Sequence, residues 1–418
     1  MWLSRRNAGW LVIKILPSAF LIFSLCSAIF VINPAVNYIS TMLTICGLIF
    51  AVITSFLLST DHIAFSKKTY CVLFLWLIFL LIALIDSPTI TYAIFYALTL
   101  SFVPLLILSH LLNNDNTVLL FKTLNFLALF MAVFCLFQFA ITKSRASFVV
   151  IDPNFIGGIL GAFFVAGSIF YLKALHLNKK TNLLQLLLLA LGIAATQSRS
   201  ALFLSGMLVC VIYMCITFVS NKSKWIAFLK LITIIAFAWM FISFMGYIAG
   251  SNSLVVERLS SGGNSLSARF EIWISTLQIF KESPLIGSGL GAFLAYYPDY
   301  RTEMGTIGTF SHNDFLQLFA EGGILLGGFY LLVFASYVFL LFKSIRKLNL
   351  SDMSYKSGVY SIGLQTVGFL LLLQAWVNFT LYLMSSSLLI GLGFASLFNT
   401  NNHYFTSNRI PNFSHGAV

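Results

Sequence analysis

Apolar runs of 18 residues or more recur along nearly the whole chain, separated by short polar breaks. About 20 residues at 1.5 Å rise cross roughly 30 Å of hydrocarbon, so each run predicts a membrane-spanning helix. The pattern predicts an all-α polytopic fold of twelve spans: 15–32, 38–58, 69–86, 91–112, 118–142, 153–173, 183–198, 201–220, 225–248, 314–342, 359–380 and 383–399. Most connections are short, as expected for helices running up and down beside each other. The ninth and tenth spans are joined differently, by a long polar segment. The chain therefore divides into spans one to nine (1–248), a loop (249–313), spans ten to twelve (314–399) and a tail (400–418).

Composition agrees. Of 418 residues, 59% are apolar and only 9% charged, against roughly 25% charged in soluble domains. The first apolar run carries Pro17, lacks a small-x-small exit and is soon followed by another span, which argues against a cleaved signal peptide. The six cysteines all lie in apolar segments without CxxC spacing, so neither disulfides nor a metal centre is expected.

The formal charge of +12 sets orientation instead of nucleic-acid binding. With Arg5, Arg6 and Lys14 placed in the cytoplasm, alternate connections hold 17 of the 24 Lys and Arg residues on that side. Both termini are then cytoplasmic, and the 249–313 loop is periplasmic in a bacterial inner membrane. Seven cations fall on the outer side: Lys143, Arg145, Arg199, Arg258, Arg269, Lys281 and Arg301. Arg199 sits in the short turn TQSRSALF at membrane depth, where a cation is costly unless it faces a cavity or a partner. Its planar fork suits phosphate.

The outer segments carry the remaining signals. Asp152-Pro153-Asn154 reads as a helix start, with the acid at the cap and proline in the first turn. Asn264–Glu282 has helical periodicity, with Phe270, Trp273, Ile274, Leu277 and Phe280 on one apolar stripe, as in an amphipathic helix lying on a membrane surface or capping the bundle. Arg269 lies one turn before Trp273. Gly287, Gly289 and Gly291 could bare backbone N–H groups to a phosphate, but no strand precedes them, so a flexible turn is the better reading. His312 stands where this loop re-enters an apolar helix, and histidine is the side chain best suited to take a proton near neutral pH. Asn313, Asp314 and Glu321 follow it. The paired glycines Gly322 and Gly323 suggest a bend.

In their order and spacing, TQSRSALF, the ARFEIW arginine followed by SPLIGSGLGAF, and SHNDFLQLFAEGG resemble the O-antigen ligase and polymerase superfamily. That resemblance implies a GT-C-like, metal-independent glycosyltransferase. It would take a glycan from undecaprenyl diphosphate, need no cofactor, and pass the glycan to an acceptor hydroxyl in the periplasm. His312 matches the family's loop histidine, the general base. Arg199 and Arg269 match the arginines that hold the diphosphate. Asn313, Asp314, Glu321, Arg145 and Asp152 are candidate supporting residues.

A diphosphate leaving group needs its charge stabilised, and arginines are the donors this sequence offers. Direct displacement would invert the anomeric centre. The expected acceptor is lipid A–core, with a glycan acceptor, as in an O-antigen polymerase, or a protein hydroxyl as alternatives. A lipid-linked glycan transporter fits less well, because the outer charges gather at one surface and no internal repeat is evident.

Overall fold

The computed structural model describes residues 16, 18–24, 26–27, 38–58, 67–108, 114–148, 152–177, 179, 183–216, 221–248, 262–302, 308–350 and 356–407. All regular structure among them is helical. In chain order the helices are α1 (Tyr38–Leu58), α2 (Lys67–Ile85), α3 (Ile90–Leu108), α4 (Asn114–Thr142), α5 (Pro153–His176), α6 (Leu183–Thr196), α7 (Arg199–Cys215), α8 (Asn221–Ile248), α9 (Gly262–Glu282), α10 (Ala292–Tyr300), α11 (Asp314–Leu350), α12 (Lys356–Gln374) and α13 (Met384–Ser407). Residues 18–24 are helical as well, within the expected first span. The flanks of that span, Arg258 and the end of the tail from 408 lie outside the described residues. Residues 400–407, expected in the tail, continue α13 as helix.

Among the described residues, four helical segments are long and apolar enough to cross a membrane: Thr117–Thr142, Pro153–His176, Lys222–Met245 and Asp314–Arg346. Shorter apolar helices, among them Tyr70–Ile85, Leu183–Thr196 and Gly358–Gln374, surround them. Burial sorts centre from rim. The α5 segment is 89% buried, whereas the α8 segment is 22% buried. α5 packs on α12, α6 and α7, and α12 packs on α13. Around this centre the outward faces expose large apolar side chains, including Phe126, Phe137, Phe203, Leu332 and Phe339, each more than 60% exposed. Water would penalise such a belt, and hydrocarbon does not.

Two helices, α9 and the short α10, sit at one end of the bundle and share a small core of Ile272, Ile279, Phe293 and Tyr297 with Ala320 of α11. The expected stripe on α9 is split: Trp273 and Phe280 turn to the protein, through Ser311 and Phe319, and the rest turns outward. Phe270, Ile274 and Leu277 are exposed, and Ile272, Ser275, Thr276 and Ile279 are buried. An exposed apolar stripe beside the bundle suits a membrane surface.

The turn from Gly287 to Gly291 is a tight hook, not a flexible loop. Its three glycines have φ of 81°, 90° and 82°, the left-handed region open to glycine. Ser288 N donates to Ala320 O (3.0 Å), Gly289 N to Glu321 O (2.9 Å) and Leu290 N to Ala83 O (2.8 Å). These N–H groups are engaged by protein and do not form a phosphate cradle. Opposite the hook, α11 breaks at Gly323 (φ 63°, ψ −163°), where the paired glycines predicted a bend.

Candidate functional site

Five elements meet at the α9 end of the bundle: the α4–α5 connection, the start of α5, the α6–α7 turn, the loop before α11 and the α12–α13 connection. Asp152 caps α5, accepting from Asn154 N (2.7 Å) and Phe155 N (3.3 Å), with Pro153 in the first turn. Arg145 braces the neighbouring elements. Its Nε donates to Thr196 O (3.1 Å) and its Nη2 to Asn154 Oδ1 (2.8 Å), which joins the end of α6 to the start of α5. The α6–α7 turn is closed by Ser198, whose hydroxyl accepts from Ala201 N as the cap of α7. Arg199 is the first residue of α7 and is exposed. A cation at a helix N-terminus opposes the helix dipole, so its placement serves something other than helix stability.

The loop before α11 is held from two sides. Trp273 Nε1 donates to Ser311 O (3.0 Å), and Ser311 N donates to Gln317 Oε1 (3.0 Å). Asn313 Oδ1 accepts from Leu316 N (3.1 Å) and caps α11. His312, between them, has φ 55° and packs edge-on against Phe379, ring centroids 5.2 Å apart. Arg269 precedes Trp273 by four residues, so it lies on the α9 face that contacts this loop.

Electrostatics links these elements into one site. Burial draws the His312 imidazole below its ordinary pKa. Arg269 adds to the fall, and Asp152 and Asn378 oppose it. Burial also lowers Arg269, with Arg199 pulling the same way and Asp152 opposing. His312, Arg269, Arg199 and Asp152 therefore lie within electrostatic reach, although they come from four separated segments. Among the described residues, the non-glycine positions with left-handed backbone are Lys143, Phe148, Gln197 and His312, all at this end. Strain of roughly 1–3 kcal/mol per such residue is typical of functional sites.

Of the other expected supporting residues, two serve the fold. Asp314 is buried, and its Oδ2 accepts from Leu381 N (2.6 Å), tying α11 to the α12–α13 connection. Glu321 accepts from Tyr382 Oη (2.8 Å), Gln317 Nε2 (3.1 Å) and Phe293 N (3.4 Å), and so anchors α10.

Sequence reasoning missed three amides. Gln374, Asn378 and Gln197 are buried at this end, and among the described residues both polar atoms of Gln374 and Asn378, with Oε1 of Gln197, make no hydrogen bond of full geometry. Asn378 stands beside His312, yet neither its amide nor the buried His312 Nδ1 closes a hydrogen bond of full geometry. Gln374 lies against α5 at Gly158, where any Cβ would overlap its Oε1. An unmet buried polar group costs roughly 1–3 kcal/mol. Amides inside apolar runs give no periodic signal that would have distinguished them from ordinary interhelical pairs.

A family model described as O-antigen ligase matches residues 184–331, about a third of the chain. The matched segment runs from α6 into α11 and contains Arg199, Arg269 and His312. The match supports the O-antigen ligase and polymerase family, to which the sequence motifs pointed. No curated protein matches the chain significantly.

Proposed function

We propose that this protein is a glycosyltransferase that moves a glycan from undecaprenyl diphosphate to lipid A–core, as an O-antigen ligase. The observation that carries the reading is the placement of Arg269 and Asp152 close to His312, with Arg199 close to Arg269. In the proposed step the acceptor hydroxyl oxygen attacks the anomeric carbon as His312 takes its proton. The bond from that carbon to the diphosphate oxygen breaks, its electron pair leaves with undecaprenyl diphosphate, and the centre inverts. Arg199 and Arg269 bind the departing charge, aided by the N-terminus of α7. Asp152 supports the site through its charge and Arg145 through its brace. Gln374, Asn378 and Gln197 supply hydrogen bonds to sugar hydroxyls.

We further infer twelve spans, cytoplasmic termini and a periplasmic site. The exposed apolar belt and the apolar stripe on α9 support a bilayer around the bundle.

The test uses purified protein in detergent with EDTA, an undecaprenyl-diphosphate-linked glycan, and lipid A–core present or absent. Glycan-bearing lipid A–core is expected only in the first tube. Longer lipid-linked glycan in the acceptor-free tube would replace the ligase reading with an O-antigen polymerase, and loss of activity in EDTA would overturn metal independence. Arg199→Ala should lower transfer at least 100-fold at unchanged membrane levels, with partial recovery in Arg199→Lys, which keeps charge but loses the fork. Orientation is read separately: Gln278→Cys on the exposed side of α9, with the native cysteines replaced, should react with impermeant maleimide in intact spheroplasts. Protection until lysis would invert the topology.

A further inference from the structure

A cavity of about 330 Å³ lies at the other end of the helices that build the His312 site. The site uses the end of α6, the start of α5 and the end of α12. The cavity uses Lys122 and Asn125 near the start of α4, Phe170 in the last two turns of α5, Gln185 at the start of α6 and Tyr360 at the start of α12. The length of the bundle separates the two, so the cavity is no part of the transfer chemistry.

Its lining selects an anion. Lys122 Nζ stands over the Tyr360 ring, 5.9 Å from the centroid, and among the described residues no carboxylate lines the cavity. Gln185 Nε2 donates to Asn125 Oδ1 (2.8 Å), which leaves Asn125 Nδ2 and the second Gln185 hydrogen as donors. Phe121, Phe170 and Tyr360 pack on one another at 4.9–5.7 Å and make a rigid aromatic wall. A cation, amide donors and an apolar wall fit a phosphate carried on an amphiphile better than a bare ion.

The surface beside the cavity identifies that amphiphile as a lipid. Lys122 heads an exposed stripe on α4 that continues through Phe126, Phe130, Val133 and Phe137 at helical spacing. Leu184, next to Gln185, is 63% exposed. A headgroup seated on Lys122 therefore has an apolar track for its acyl chain on the same helix face. Basic pockets between spanning helices take anionic headgroups in this way. We propose that this cavity binds the headgroup of an anionic phospholipid, its phosphodiester on Lys122 and the Asn125–Gln185 amides. The lipid would come from the leaflet opposite the His312 site.

The experiment uses the full chain in neutral detergent, titrated with phosphatidylglycerol, phosphatidylcholine or glycerol 3-phosphate. Bound lipid is counted by native mass spectrometry. Wild type should hold one phosphatidylglycerol that survives exchange into lipid-free detergent. Lys122→Glu and Gln185→Leu should each weaken that adduct roughly fivefold to tenfold, and transfer at the distant site should continue in both. Equal retention by wild type and both variants would overturn the proposal, as would equal binding of phosphatidylcholine. Glycerol 3-phosphate binding as tightly as the lipid would also overturn it, in favour of a soluble phosphate ester. Because Lys122 is exposed at the bundle surface, its variant tests the site even if Gln185→Leu fails to fold.

Discussion

Replacing His312 with alanine should reduce glycan transfer by roughly 10²–10⁴-fold, the range lost with a general base. His312→Gly separates chemistry from folding. Its left-handed backbone, φ 55°, suits glycine better than any other residue, so this variant should be at least as stable as His312→Ala and equally inactive. An active His312→Gly would remove the imidazole from the mechanism. The pH profile gives a signed companion test. A base works in its neutral form, and burial with Arg269 holds His312 below the ordinary 6.5. Transfer should therefore rise with pH through an apparent pKa under 6.5 and fall away on the acid side. Asp152→Asn keeps the α5 cap but removes an anion that favours imidazolium, so the rising limb should move to lower pH. Arg269→Gln removes a cation that disfavours imidazolium, so the limb of its residual activity should move upward. Shifts of the same sign in both variants would contradict the charge arrangement around His312.

The largest effect on stability is expected at the hook. Gly287→Ala should cost about 3–5 kcal/mol or prevent folding. Left-handed backbone costs alanine about 1–2 kcal/mol. The new Cβ would also overlap the Glu321 carbonyl and the Gly322 nitrogen, main-chain atoms that cannot swing aside. Neighbouring hydrogen bonds from Gly289 N to Glu321 O and from Ile324 N to Pro284 O fix both strands of the contact. Gly206, in the interior of α7 with nothing within 4 Å of a built Cβ, is the matched control. There alanine should gain about 0.5–1 kcal/mol. Thermal unfolding in detergent reads both variants, and a Gly287→Ala protein melting within a degree or two of wild type would refute the steric argument.

Local signals proved legible where their physics is local. Asp152-Pro153 announced a capped helix start, and α5 begins there. Gly322-Gly323 announced a bend, and α11 breaks at Gly323. The TQSRSALF motif put Arg199 in the turn between two helices, and it stands there as the first residue of α7. The periodicity of α9 found the helix and its apolar stripe, but it could not say that Phe270, Ile274 and Leu277 face away from the bundle while Trp273 and Phe280 face it, because the packed face depends on Phe293, Tyr297 and Ala320. Reading Gly287–Gly291 as flexible failed for the same reason, since its partners Ala83 and Glu321 are remote in sequence. The carboxylate of Glu321 gave no hint from the chain that it would serve α10 and Tyr382. Gln374 and Asn378 were invisible as site residues, because an amide within an apolar run looks alike whether its partner is a helix or a ligand.

Leu290 N binds Ala83 O and Ser87 Oγ binds Leu290 O (2.7 Å), so the hook clasps the corner between α2 and α3, about two hundred residues upstream. The family-matched segment is therefore not a transplantable module. A chimera that exchanges 249–313 for a relative's loop, in search of a new acceptor, would set a foreign hook against the native corner and the native α11 kink. Recombination breakpoints that carry residues 83–93 and 314–325 along with the loop keep all three surfaces matched.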